Sequence, residues 1–266
     1  MLIFRTFVNK EKIDWKKLSG NPEAVPILEE NPDKIDWYWL SVNPNGVFLL
    51  EQNPNKINWT LLSFNNNAVP LLEKNPEKIN WKHLSCNPSA IHLLEQNLEK
   101  IDWKLLSKNS AAIHLLKQYP EKINWKEFSS NPFALKKLEK NPENIDWNEL
   151  SGNPFAIKIL EKNLEKINWK LLSGNPFAIS LLEQYPEKID WTELSTNPSA
   201  IHLLEQNPEK IDWNMLAYNT EIFTYDYPKI KQRLHNGIFE DLIKNRFHPI
   251  NMDKWVDWGY DEWGCD

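Results

Sequence analysis

The chain has 266 residues, 41% of them hydrophobic and 26% charged, with a formal net charge of −6 at neutral pH. That apolar content is enough for a folded chain, while the negative balance excludes a global basic field for nucleic acid and disfavours an anionic membrane as partner. The two cysteines, Cys86 and Cys265, lie far apart in unlike surroundings, which argues against a disulfide framework or a Cys-x-x-Cys metal site and fits a reducing compartment.

The apolar stretch from Met1 to Val8 carries Arg5 and runs straight into Asn-Lys-Glu-Lys, so it is too short for a signal-peptide core. No apolar run approaches the roughly 18 residues of a membrane span, and an intracellular, non-secreted protein is expected. From Asn9 onward the chain is a tandem array. Trp15, Trp37, Trp59, Trp81, Trp103, Trp125, Trp147, Trp169, Trp191 and Trp213 fall on a 22-residue lattice with no insertion or deletion. A fixed period of this kind means units that cannot bury their apolar side alone and must stack. The predicted architecture is all-α: a right-handed α-solenoid of ten 22-residue two-helix units over residues 9–219. Residues 1–8 are the predicted N-terminal cap, and residues 220–266 the C-terminal capping helices and aromatic tail.

Within a unit, each lattice Trp opens a short helix. The residue before it is Asp or Asn in every copy (Asp14, Asp36, Asn58 and so on to Asp212), where a side-chain oxygen accepts the orphan amides of the first turn. Asp and Asn exchange freely there, which a cap tolerates and an acid–base or metal-ligand carboxylate does not. Six residues after the Trp an Asn recurs ten times, from Asn21 to Asn219, mostly followed by Pro, and announces a second helix with Pro in its first turn. That helix, of about nine residues, reads Ala-Ile-x-Leu-Leu-Glu, as in Ala200 to Glu205, an apolar stripe wide enough to face a core. Its small first residue (Ala24, Gly46, Ala68 and equivalents) is the expected contact between units. The Trp side chains are expected in the core, and a second Asn-Pro or Tyr-Pro ends the helix.

After Asn219 the pattern decays. Asp226-Tyr227-Pro228 reads as a cap and helix start, and Ile238 to Phe247 has helical spacing. The remaining tail, His248 to Tyr260, is aromatic-rich and aperiodic, and is expected to fold back over the last unit. The unit consensus Ile-Asp-Trp-x-x-Leu-Ser-x-Asn-Pro-x-Ala-Ile-x-Leu-Leu-Glu, with the terminal His248-Pro249-Ile250-Asn251-Met252-Asp253-Lys254-Trp255, resembles the tandem-repeat proteins of large DNA viruses of the mimivirus and marseillevirus type over residues 9–260. The resemblance implies a viral origin and an interaction role, in host cytoplasm or virion, and brings no catalytic or binding residues with it. More distantly, the pattern is similar to the leucine-rich variant repeats, whose period is slightly longer.

Signals for chemistry are weak. There is no Walker A loop, GxGxxG, HExxH or GxSxG, and seven glycines give little material for a phosphate cradle, so no enzyme, cofactor or metal site is expected. His92, His114 and His202 occupy equivalent places, but helices about 8–10 Å apart cannot bring them to one ion. His248 with Asp253 and Asp257 is a weaker candidate in the tail. Lys16, Lys82, Lys104, Lys126 and Lys170 follow their Trp and form an interrupted basic row, the basis of an alternative reading as a nucleic-acid binder. The variable positions are more informative, because caps and core absorb the constant ones. Phe133, Phe155 and Phe177 fall eight residues after their Trp, where sister units carry Glu23, Asn45 or Ser89, so burial there is not obligatory. They form a candidate partner-binding strip, with Val42 and Phe64 at the neighbouring variable place as its extension. The reading is a monomeric, non-enzymatic scaffold for a viral or host protein. The alternatives are the nucleic-acid binder and a structural virion component.

Overall fold

The computed structural model describes residues 2–233, so the predicted helix from Ile238, the tail and its His248, Asp253 and Asp257 lie outside the described residues. The chain divides into two compact units, residues 4–223 and a smaller one formed by residues 1–3 with residues 224 onward. The larger is the all-α repeat array. Short strands Leu2–Phe4 and Phe223–Tyr225 pair in a two-stranded sheet, which the repeat pattern did not announce. In the smaller unit the predicted cap holds: Asp226 Oδ1 accepts from the Lys229 amide at 3.1 Å at the head of the helix Tyr227–Arg233.

Each repeat is built from four to six residues of α-helix at a time, such as Trp81–Leu84 and Ile91–Glu95, joined by 3-10 turns, such as Pro88–Ala90 and Leu98–Lys100. The second helix is therefore shorter than the sequence suggested. The amide of Ala90 bonds back to the Asn87 carbonyl, a three-residue closure that tightens the first turn before α-geometry takes over. The Asp/Asn caps behave as expected, with Asp102 Oδ1 taking the Leu105 amide at 2.9 Å and Asn124 Oδ1 the Glu127 amide at 3.1 Å. Helices this short are marginal alone in water, so packing between units has to supply their stability.

What packs is not what the sequence favoured. The fully buried side chains are the leucines three and thirteen residues after the Trp in nearly every unit, such as Leu84 and Leu94, with Phe128 in place of the first in the sixth unit and the alanines of the Pro-x-Ala turns between them. Every lattice Trp is only half buried, which corrects the expectation of a Trp core. Standing at the first helical residue, the indole lies at the rim of its unit, where in five units the next unit's lysine lies over it. Lys34 lies 4.2 Å from the Trp15 ring centroid, Lys56 4.3 Å from Trp37 and Lys166 4.4 Å from Trp147.

The core also holds a polar ladder. All ten Asn that follow the Trp by six residues are buried, together with nine Ser two residues earlier. Asn109 does more than cap: its amide donates to the Ser85 carbonyl at 3.0 Å and the Asn87 carbonyl at 3.1 Å, both in the preceding unit, while its oxygen accepts from the Ala111 amide. The Ser107 hydroxyl donates to the Trp103 carbonyl at 2.8 Å and accepts the Asn124 amide of the next unit at 2.9 Å. Buried polar groups are tolerated only when satisfied, and among the described residues no buried side-chain nitrogen or oxygen lacks a partner.

The same ladder joins the first unit to the last. The Asn21 amide donates to the Ala217 carbonyl at 2.8 Å and the Asn219 carbonyl at 3.0 Å, the relation every Asn has to its predecessor. Lys12 lies over Trp213 at 5.5 Å as Lys34 lies over Trp15. Unit ten thus stands before unit one as each unit stands before the next, and the array closes into a ring. The two end faces that residues 1–8 and 220–266 were expected to cover are used in covering each other.

Candidate functional site

Phe133, Phe155 and Phe177 are 63%, 53% and 61% exposed, with consecutive ring centroids 6.2 Å and 6.0 Å apart and the planes tilted by about 40°. Their positions follow from the Asn caps: the Phe133 amide donates to Asn131 Oδ1 at 3.0 Å, and Phe155 and Phe177 repeat the bond with Asn153 and Asn175. The ladder holds these three backbones one unit apart, so the rings stand side by side with one face to solvent. In these units the Pro-Phe-Ala segment is a single hydrogen-bonded turn, the Ala134, Ala156 and Ala178 amides bonding back to the Asn131, Asn153 and Asn175 carbonyls, where the other units form a 3-10 turn.

Val42 and Phe64 do not join this strip. Val42 is half buried, and Phe64 stacks on His83 at 4.2 Å, with His83 Nδ1 also 3.0 Å from the Thr60 carbonyl. Phe48, 62% exposed, is a surface aromatic that the sequence reading passed over. It stands eleven residues after its Trp, where other copies carry His, Lys, Pro or Ser.

The Phe strip ends in an open pocket of about 150 Å³. Ile113, Leu116, Phe128 and Phe133 form its apolar wall, and Lys117, Lys136 and Lys137 stand around it. It coincides with a departure from the repeat. Twelve residues after the Trp, eight other copies carry Leu or Ile (Ile27, Leu49, Leu71, Leu93, Leu115, Ile159, Leu181, Leu203), while the sixth carries Lys137. Where the Trp125 unit also lacks the usual covering lysine, having Asn144 instead, Lys137 turns its ammonium over the Trp125 ring at 5.9 Å. Lys137 thus lines the pocket at the place where those copies carry an aliphatic side chain. The doublet Lys136-Lys137 was the available signal, legible only once the copies are aligned at that position.

The three row histidines and three of the five row lysines are paired with glutamates within the molecule. His92, His114 and His202 each face a glutamate of the preceding unit, Glu73 at 2.8 Å, Glu95 at 2.6 Å and Glu183 at 3.0 Å. In the Lys row, Lys104, Lys126 and Lys170 reach Glu127, Glu149 and Glu193 of the following unit at 3.7, 4.0 and 3.8 Å. Burial pushes the Cys86 thiol above its ordinary range; Lys108 works against this, and Asp102 and Glu127 reinforce it, so the thiol is protonated at neutral pH.

At the ring junction Trp39 meets Tyr218 edge-on at 5.8 Å, although two unit boundaries separate them. Gly20 lies beside Trp39, where a Cβ would meet the indole at an ordinary van der Waals distance of 3.8 Å. Lys17 lies 5.9 Å over the Tyr218 ring, and burial, with the Asp14 carboxylate adding to it, raises the phenol above its ordinary range. No helix among the described residues is long and apolar enough to cross a membrane. Compared with models of known protein families, with curated proteins and with solved structures, the chain matches none.

Proposed function

We propose that the repeat ring is a non-enzymatic interaction scaffold, of the large-DNA-virus repeat type, that holds a viral or host protein against the Phe133–Phe155–Phe177 strip. The observation that carries this reading is three aligned phenylalanines on successive units, each more than half exposed, while most of the lattice Trp rings are covered by lysines or by neighbouring rings. Aromatic anchors of this kind dominate interface energetics, and more than half of each phenylalanine remains to be covered by a partner. Two facts weigh against the nucleic-acid reading. The lysines following Trp103, Trp125 and Trp169 are already paired with carboxylates. Ring centroids about 6 Å apart, with planes tilted by about 40°, also leave no parallel slot for a base between neighbouring phenylalanines.

The test compares wild type with Phe133→Ser, Phe155→Ser, Phe177→Ser combined, by thermal unfolding and by capture of partners from infected cells. Unchanged melting with lost capture is the expected result. A large fall in melting temperature would make the phenylalanines core residues, and unchanged capture would make them idle.

A further inference from the structure

The sixth unit breaks the repeat where the fold least needs it to. Nothing in the stacking requires a lysine at position 137, because eight sister copies pack an aliphatic side chain at that place. Lys137 lies over the Trp125 ring where the usual covering lysine is Asn144, but it gives up the aliphatic packing of its sister copies, and a departure of this kind from the consensus of a fold is where function is expected. Here the departure coincides with an apolar pocket at the end of the Phe strip and adds to the positive charge around it. The geometry points to a pocket that receives one apolar side chain of a peptide whose flanking residues are acidic, an inference that rests on the protein-binding reading above.

Three observations carry it. An apolar cavity of about 150 Å³ admits a benzene-sized group, so the pocket is matched to a single Leu or Phe side chain and not to a larger ligand. Lys117, Lys136 and Lys137 ring it, and no carboxylate is among the described residues that line it, in contrast to the Lys104, Lys126 and Lys170 positions, whose charges are met within the molecule. Phe133 belongs both to the pocket wall and to the strip, so a chain anchored in the pocket runs on over Phe155 and Phe177. Lysines at the rim would act chiefly on encounter rate and on choice of partner, with the apolar anchor setting the lifetime of the complex.

Lys137→Leu restores the consensus, so this variant is expected to fold at least as well as wild type while its pocket is filled. A random peptide library of about twelve residues displayed on phage is panned against the purified full-length protein, and selected peptides are measured by fluorescence polarisation. Expected are sequences with an aliphatic or aromatic residue between Asp or Glu residues, whose affinity falls by at least about tenfold in Lys137→Leu and in the double variant Lys117→Glu, Lys136→Glu. Selected peptides without acidic residues would overturn the inference, as would affinity unchanged from wild type in both lysine variants. Peptides that lose affinity for the triple Phe→Ser variant but not for the lysine variants would sink the pocket and leave the strip standing. Peptides indifferent to the phenylalanines, or an unstructured uridine oligonucleotide that displaces them, would sink the protein-binding reading itself.

Discussion

An interior junction of the ring and the junction between its last and first units use the same amide ladder, yet they are not equivalent. Between units five and six, Asn131 donates to the Ser107 and Asn109 carbonyls at 3.0 and 2.9 Å, and the Ser107 hydroxyl takes the Asn124 amide. At the closing junction the two Asn21 bonds persist, but Ala217 stands where nine other units have serine, and the hydroxyl relay is missing. In its place are contacts found nowhere else in the array. The Arg5 amide donates to the Ile222 carbonyl at 2.8 Å, its guanidinium Nε donates to the Glu221 carbonyl at 2.7 Å, Phe4 packs on Phe223 with centroids 5.1 Å apart, and Trp39 reaches Tyr218. Ion pairs from Arg5 to Glu205 and Glu221 are long and exposed, and add little. The lesson is that the repeat encodes a junction that works without a covalent link, and residues outside the repeat pattern replace what the end units lack.

Deletions break the comparison most severely. Removing residues 97–107 takes out half a unit, leaves Asn and Ser partners out of phase, and is expected to abolish cooperative melting. Removing residues 97–118 keeps every interior junction intact, but nine units curve through too small an arc to bring Asn21 to Asn219. The product should stay helical by circular dichroism while amides at Arg5 and around Asn219 lose exchange protection. Retained protection at those amides would show that closure tolerates a change in unit number.

A pair of identical substitutions gauges the two junctions directly. Asn109→Ala removes two buried donors and a cap acceptor and should cost roughly 3 kcal/mol in urea unfolding, well above the loss of a cap alone. Asn21→Ala removes the same bonds where the junction can part and admit water, and should cost about half as much. Equal losses would mean that the closing junction is as cooperative as the rest. Ala217→Ser restores the missing hydroxyl opposite Asp14 and is expected to stabilise by about 1 kcal/mol, the net worth of one hydrogen bond. A neutral or destabilising result would show that the hydroxyl relay depends on the chain link.

The smallest expected effect is one of pH. Burial and, after it, Asp14 raise the Tyr218 phenol in the folded state, so its neutral form is favoured by folding. The corresponding stability is fully present below the ordinary tyrosine value of about 10 and is lost as pH rises through the folded value. Alkaline titration of wild type against Tyr218→Phe should show a steeper loss in wild type, confined to the closing junction by hydrogen exchange. Parallel curves would assign the alkaline loss to other groups.

The helical repeat, its period, its Asp/Asn caps and its Leu and Ala contacts are legible in the sequence because they depend on spacing and on local backbone chemistry. A side-chain oxygen next to a helix start and an apolar residue every third or fourth place mean the same thing wherever they occur. The exposed Phe strip is legible too, by comparison among copies, since a place that accepts glutamate is not obligatory core. What the tertiary structure decided is where partners come from. That Asn109 spends its amide on the previous unit, that Trp lies at the rim under a lysine, and that Lys137 lines a pocket beside Phe133 all depend on atoms a unit away. Closure is the clearest case. The ladder looks the same from every Asn, and only the accumulated curvature of ten units brings Asn21 to Asn219, so that the two ends of a linear pattern become one more junction.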